Sequence, residues 1–325
     1  VHASGDSPRV LKVHERHSGE RLDRWLAASG QLGSRSQLQT AIREGRVDVD
    51  GRRARASLRL AGGETVTVAP GKPVDAEGLP TAEDLPLRIL HEDECMLAVD
   101  KAAGMVVHPG AGNRQGTLVN ALLHRYPDER WPGDRGRPGI VHRLDKETSG
   151  VVLVARTVEA HEQLSAQFRG RSVRKQYLAL VRGVVTSPGV IDAALGRHPR
   201  DRKKMSQAAR HSRPASTRYE PLESFDGLTL LKVMPETGRT HQIRVHMAAS
   251  GWPVVRDPLY GGRSRGDQAS LCLSARTREL LSAMPRQALH AAKIGFAHPL
   301  TGSMLSIEAP LPDDFDSLLR GLRGA

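Results

Sequence analysis

From Gly139 to Gly150 the chain reads Gly-Ile-Val-His-Arg-Leu-Asp-Lys-Glu-Thr-Ser-Gly. The apolar pair Ile140–Val141 predicts a short strand ending at His142, and Val151–Arg156 predicts a second. A tight connection must join them. It carries an ionisable group, Asp145, between a His-Arg pair and a Thr-Ser-Gly turn. An aspartate in such a turn is commonly a solvated turn-former, because its carboxylate accepts from nearby backbone.

Short strands are predicted through the rest of the C-terminal region, at Leu87–His91, Met96–Asp100, Gln176–Val184, Leu228–Met234, Lys293–Ala297 and Met304–Ile307. Helical spacing is seen at Thr117–His124, Val158–Phe168 and Asp313–Leu322. Strands and helices do not alternate regularly, which argues against a doubly wound parallel sheet. The expectation is an α+β domain on a mainly antiparallel mixed sheet. Upstream, Glu20–Gly30 carries Leu22, Trp25 and Leu26 at helical spacing, and Ser34 offers an N-cap to a second short helix, Ser36–Glu44. Arg46–Gly51 and Glu64–Ala69 alternate as strands, the first ending in an Asp-Gly turn. Pro70–Pro86 is rich in Pro and Gly, lacks an apolar period and reads as a linker. The expected organisation is a polar tail over 1–18, a small α+β domain over 19–69, a linker over 70–86 and a larger domain over 87–325.

A chain of 325 residues has room for two domains. Its net charge of +12 is carried by 39 Arg and 9 Lys, which predicts a polyanionic partner. Arginine suits phosphate because its planar fork bonds two oxygens at once, although a GC-rich genome also favours it. Residues 1–70 hold 12 basic and 8 acidic side chains, with Arg21, Arg24, Arg35 and Arg43 on or beside the predicted helices. Arg197–Arg213 has seven basic residues and one acid, and reads as a solvated loop able to clamp a nucleic-acid backbone. Cys95 and Cys272 are far apart in apolar surroundings, as buried free thiols would be. No apolar run approaches the ~20 residues that span a membrane, and no secretory leader is visible, so a cytoplasmic protein is expected. Gly110–Thr117 lacks the lysine of a phosphate-binding loop. His108, His142, His241, His246 and His290 lack the spacing of a zinc hydrolase, so neither metal nor cofactor is expected.

Taken whole, Gly139–Gly150 resembles the HRLD-x-x-(S/T)-(S/T)-G motif of the RluA-type pseudouridine synthases. "RKQYLALVRG" (Arg174–Gly183) resembles the K-x-Y-x-A-L-V element of that family, and Glu236–Gly262 resembles its R-x-H-Q-I-R-x-H segment, with His246 at the last position. Val99–Gly112 and Gln287–Gly302 resemble two further segments, and residues 19–69 are similar to the S4 RNA-binding module. The likeness spans about residues 19–320, and its domain order fits the RluD-type branch. It implies a bent mixed sheet crossed by a catalytic cleft, and cofactor-free isomerisation of uridine in RNA by a monomer. The implied target is the domain IV stem-loop of large-subunit ribosomal RNA.

The same resemblance implies Asp145 as the catalytic carboxylate, acting at C1′ of the ribose or C6 of the base. It implies Arg244 as the partner of Asp145, in a bidentate pair that keeps it ionised and aimed. Tyr177 is expected against the base, stacking on it and accepting a proton. Arg143 would fill the gap left by a flipped nucleotide. His142, a local hydrogen-bonding residue rather than a base, would meet the RNA with Arg239, His241 and Gln242, and Arg21, Arg24, Arg35 and Arg43 would grip it from the S4-like domain. Asp100 and Ala102 stand where Asn and Pro are usual, and Arg256 where Gly is usual, which leaves the turn at Asp257 open. The competing readings are a synthase for other ribosomal or transfer RNA uridines, and a non-catalytic RNA-binding assembly factor. The latter would not need Asp145, Tyr177 and Arg244 together.

Overall fold

The computed structural model describes residues 8–29, 38, 41–69, 79–110, 112–134, 136–201, 203–261 and 273–324. The chain divides into two compact units, Val1–Leu79 with Gly133–Gly136, and Pro80–Pro132 with Arg137–Ala325.

In the first unit the helix Leu22–Ala28 buries Leu22, Trp25 and Leu26 with Leu38, Ala41 and Ile42, next to Val47, Val49, Val66 and Val68. The strands run Arg9–Lys12, Thr65–Val68, Val47–Val49, Arg52–Arg53 across a four-stranded sheet. Asp50 and Gly51 both have positive φ (48° and 73°), the geometry a two-residue hairpin turn requires. Residues 1–18 are not merely a tail, because Arg9–Lys12 pairs antiparallel with Thr65–Val68 and Val13 is buried in the core. Its four residues are too few for alternation to be visible. Ser34, Arg35 and residues 70–78 of the expected linker lie outside the described residues. The end of that linker belongs to the second unit, where Asn120 Nδ2 donates to Thr81 O (2.7 Å) and Gly116 N–H donates to the Glu83 carboxylate (3.1 Å).

The second unit is built on a nine-stranded sheet. Its order is Arg88–Glu92, Met96–Lys101, Ser149–Ala155, Leu289–Ala297, Arg174–Arg182, Leu228–Pro235, Ser216–Phe225 and Gly189–Asp192, with Met304–Glu308 also paired to Leu289–Ala297. Ser149–Ala155 and Leu289–Ala297 pair in parallel, and the other described pairs are antiparallel, so the unit is α+β as its pattern predicts. Ser149–Ala155 is buried on both faces. Val151, Leu153 and Ala155 face the core that holds Ala160 and Leu164 of helix Val158–Gly170. Val152 and Val154 face the core that holds Leu118 and Leu122 of helix Leu118–Arg125.

Two expectations are corrected, and two further elements escape the sequence pattern. Ile140–His142 is not a strand, since Ile140 makes one bridge to Val154 and then the His142 ring, not a backbone carbonyl, takes the Leu153 N–H (2.9 Å). The basic stretch from Arg197 carries a small three-stranded sheet, Met205–Ser206, Leu195–Arg197 and Ser212–Arg213. The helix Gln242–Ala249 shows no apolar stripe because Gln242–Met247 are all buried, polar and apolar alike. Ser216–Phe225 is interrupted at Pro221 by a register shift.

Gly150 sets how closely the two parallel strands approach. Its φ is +112°, and a Cβ there would lie 2.2 Å from the Ala291 carbonyl oxygen. Gly150→Ala is therefore expected to destabilise the second unit by about 2–4 kcal/mol. Urea unfolding measures this, and an unchanged midpoint would show that the strands can part without loss.

Candidate active site

A cavity of about 640 Å³ opens where three segments meet: the turn after His142, the start of strand Arg174–Arg182, and the approach to helix Gln242–Ala249. Leu144, buried, anchors the turn, and Asp145 beside it keeps partial exposure. Each residue that follows is held from behind. Lys101, fully buried, donates through Nζ to Lys146 O (3.1 Å) as well as to Ala102 O and Met105 O (2.7 and 2.8 Å). Burial pulls its pKa down to about 7. Arg286 donates to Glu147 O (3.1 Å), and Gln287 Nε2 to Thr148 Oγ1 (2.7 Å). These backing residues escape sequence reading, because a buried cation on carbonyl oxygens leaves no spacing signal.

Arg244 is expected to grip Asp145 with two bonds, and the structure corrects this. Its bidentate partner is Asp257: Nε donates to Oδ2 (2.7 Å) and one terminal nitrogen to Oδ1 (2.9 Å). The other terminal nitrogen donates to Asp145 Oδ2 (2.9 Å). Burial by itself would raise the pKa of Asp257. The bonds and charge of Arg244, with N–H donors from Leu259 and Tyr260, outweigh burial and hold Asp257 below its ordinary value. Arg256, standing where glycine is usual, adopts φ +58° and ties its side chain to Met284 O (2.8 Å).

Tyr177 lines the cavity with Asp145. Burial and then the Asp145 charge push its phenol well above the usual range, so it stands protonated. His142 also lines the cavity, yet its Nε2 accepts from Leu153 and its ring stacks on Phe168 (4.5 Å), with its pKa lowered to about 3 by burial. It shapes the turn and has no free nitrogen lone pair to offer RNA. Gln242 is likewise spent inside the protein: its oxygen accepts from Thr237 Oγ1 and Arg239 N, and its nitrogen donates to Ser216 O and Thr217 Oγ1. Arg239 gives Nε to Pro214 O (3.2 Å). Burial lowers its pKa, and the nearby charges of Arg213 and Arg171 lower it further. Those three, with Arg169 and the exposed Arg143, make the cavity lining strongly positive. In the first unit Arg24 and Arg43 are exposed, whereas Arg21 gives its fork to Asp23 (2.9 and 3.0 Å). Arg35 lies outside the described residues, as does Cys272.

Among the described residues Asp93, Cys95 and His298 form the one group with metal-ligand chemistry. His298 Nδ1 accepts from Leu300 and Thr301 N–H, so its proton sits on Nε2, facing Asp93 (3.1 Å). That nitrogen has no lone pair for a metal. Burial and the neighbouring Asp93 push the Cys95 thiol up to about 12, and the group is a hydrogen-bonded hub. No helix among the described residues is long and apolar enough to cross a membrane.

Residues 96–249 match the RNA pseudouridylate synthase family, and residues 20–66 match the S4 domain. The chain is 45% identical to the ribosomal large subunit pseudouridine synthase D of Pseudomonas aeruginosa, over 97% of this chain and 96% of that protein. It is 44% identical to the protein of that name from Nitrosomonas europaea, over 96% of this chain and 87% of that protein. The solved structure of human RNA pseudouridylate synthase domain containing 4 aligns with a TM-score of 0.54 at 27% identity, covering 72% of this chain and 92% of that one. A carboxylate held by a buried arginine at an arginine-lined cavity is thus found in a chain that belongs to the RNA pseudouridylate synthase family and carries an S4 domain.

Proposed function

We propose that this pseudouridine synthase acts as a cytoplasmic monomer on uridines of large-subunit ribosomal RNA, with Asp145 as nucleophile, Arg244 as its partner and Tyr177 against the base. The observation that carries the reading is the 2.9 Å bond from Arg244 to Asp145 at the wall of a cavity large enough for a nucleoside. The choice of RNA is supported by near full-length likeness to two large-subunit synthases.

The reaction breaks N1–C1′, turns the base and joins C5 to C1′. One proton leaves C5 and one is taken up at N1, so the product is an isomer and no redox partner is needed. An Asp145 oxygen either bonds C1′ and is displaced when C5 bonds there, before C5 loses its proton, or bonds C6 and is released after C5 has lost its proton. The target atoms are hidden in a stacked helix, so the nucleotide turns outward, and exposed Arg143 takes its place. Tyr177 enters as a neutral phenol. While Asp145 is bonded to the nucleoside its charge is gone, and the phenol loses one of the two influences that raise its pKa. On the C6 route the C5 proton leaves while Asp145 is still bonded, so proton acceptance by Tyr177 belongs to that stage.

Asp145→Asn keeps the shape and removes the nucleophile. Turnover is expected to fall by about 10⁴-fold or more while RNA affinity stays within about tenfold. Single-turnover rates and RNA-binding titrations of the purified variant read the two points, and pseudouridine mapping of ribosomal and transfer RNA from a deletion strain complemented with it reads the target. Modification by the variant would sink the role of Asp145, and losses confined to transfer RNA would redirect the target.

Phosphate contacts release counterions, so affinity should fall with salt at a log–log slope of about −0.7 for each single-strand phosphate neutralised. Replacing exposed Arg24 and Arg43 together by Ala is expected to make that slope shallower by roughly 1.4. An unchanged slope would return both side chains to a solvated surface.

A further inference from the structure

His241 precedes the helix Gln242–Ala249 in a left-handed conformation (φ 54°, ψ 21°), a region that residues other than glycine seldom adopt. That turn of the backbone brings its Nε2 to 3.9 Å from Asp145 Oδ1. Its other nitrogen, Nδ1, lies 2.8 Å from the Tyr260 hydroxyl. The same hydroxyl oxygen accepts the Met205 N–H (2.8 Å), and Met205 sits in the small sheet opposite Arg197.

The proton positions follow from counting. Met205 can only donate, so the tyrosine oxygen accepts there, and its single O–H is left to donate. His241 Nδ1 is the acceptor within reach among the described residues, which puts the imidazole proton on Nε2, facing Asp145. The tyrosine ring is itself held, with the Arg244 guanidinium 5.2 Å from its centroid.

We propose that Tyr260 is a positioning residue, whose hydroxyl fixes the His241 tautomer so that an N–H faces Asp145 and ties the basic small sheet to the site. This rests on Asp145 being the catalytic carboxylate. The groups facing His241 are Asp145 and Arg143 from the turn, Arg244 from its own helix, and Asp257 and Tyr260 from the segment after it. Burial lowers the pKa of the imidazole, Asp145 and Asp257 raise it, and Arg244 and Arg143 lower it, with a net fall. The ring is therefore neutral at pH 7. A hydrogen bond donated to Nδ1 favours that neutral form, so its loss raises the pKa.

The test uses the full chain and single-turnover release of tritium from C5 of uridine in its RNA, across pH. Tyr260→Phe is expected to slow the reaction about tenfold at pH 7 with RNA affinity within about threefold, and to move the acid limb of the rate to higher pH. His241→Gln keeps an N–H donor but does not titrate. It should abolish the part of the acid limb due to His241, and adding Tyr260→Phe to it should change the rate less than about twofold. A parental pH profile in Tyr260→Phe, an unaltered acid limb in His241→Gln, or a full tenfold effect in the double variant would each overturn the proposal. His241→Gln keeps the test open if the tyrosine variant fails to fold. Asp145→Asn is measured alongside: activity there fails the nucleophile reading itself, whereas inactivity there with no Tyr260 effect fails this proposal alone.

Discussion

Arg244 lies within the buried stretch Gln242–Met247 of its helix and shares one guanidinium between two carboxylates. Its fork goes to Asp257, whose side chain has no exposed surface, and the remaining N–H goes to Asp145, whose side chain is 19% exposed. Burying an ion is expensive unless it is paired and bonded, so the Arg244–Asp257 pair can exist only with each member complete. Asp257 is completed by two backbone N–H groups, and Arg244 by the carboxylate at the cavity. The proposed nucleophile, Asp145, is thus the exposed end of a structural ion pair, which aims it without surrounding it. Because Asp257 titrates below its ordinary value, its contribution to stability is present at neutral pH and is lost as pH falls through that lowered pKa.

The turn that carries Asp145 is stiff for a related reason. The carbonyl of Lys146 accepts from Lys101 and Gly104, and that of Glu147 from Arg286. Arg286 is in turn gripped by both oxygens of Asp314 (2.6 and 2.7 Å) at the start of the C-terminal helix Asp313–Arg323. Gly150 then brings the adjoining strand against Ala291, so the turn cannot swing about its exit. Two distant parts of the chain, near Lys101 and Asp314, therefore meet behind one carboxylate. A nucleophile must be held within a fraction of an ångström of its target, and these contacts supply the rigidity that the role proposed for Asp145 needs.

Much of this was legible in the sequence. The α+β class followed from strands without regular helices between them, and the Asp-Gly turn at 50–51 from its residue types. The match of Gly139–Gly150 and Glu236–Gly262 to family motifs led to Asp145 and Arg244, which the structure brings together. What could not be read is where a buried polar side chain spends its bonds. Gln242 stands in a motif position, yet its hydrogen bonds run inward, whereas His142 was legible as a local hydrogen-bonding residue though its partner, the Leu153 N–H, was not. Asp257 was noticed only through its unusual neighbour, Arg256, and its role depends on a helix whose uniform burial hides any period. The strand at Arg9–Lys12 was missed because pairing across the sheet, not its own pattern, makes it a strand.

The central claim is that Asp257 acts on the reaction only through Arg244. A double-mutant cycle with Asp257→Asn and Arg244→Lys, read as single-turnover rate with RNA affinity measured in parallel, tests this most directly. The account predicts that each single change lowers the rate by about 10²–10³-fold, and that the double variant is no slower than the worse single by more than about threefold. RNA affinity should stay near that of the parent in all three. A near-parental rate in Asp257→Asn, or losses that multiply in the double variant, would contradict it.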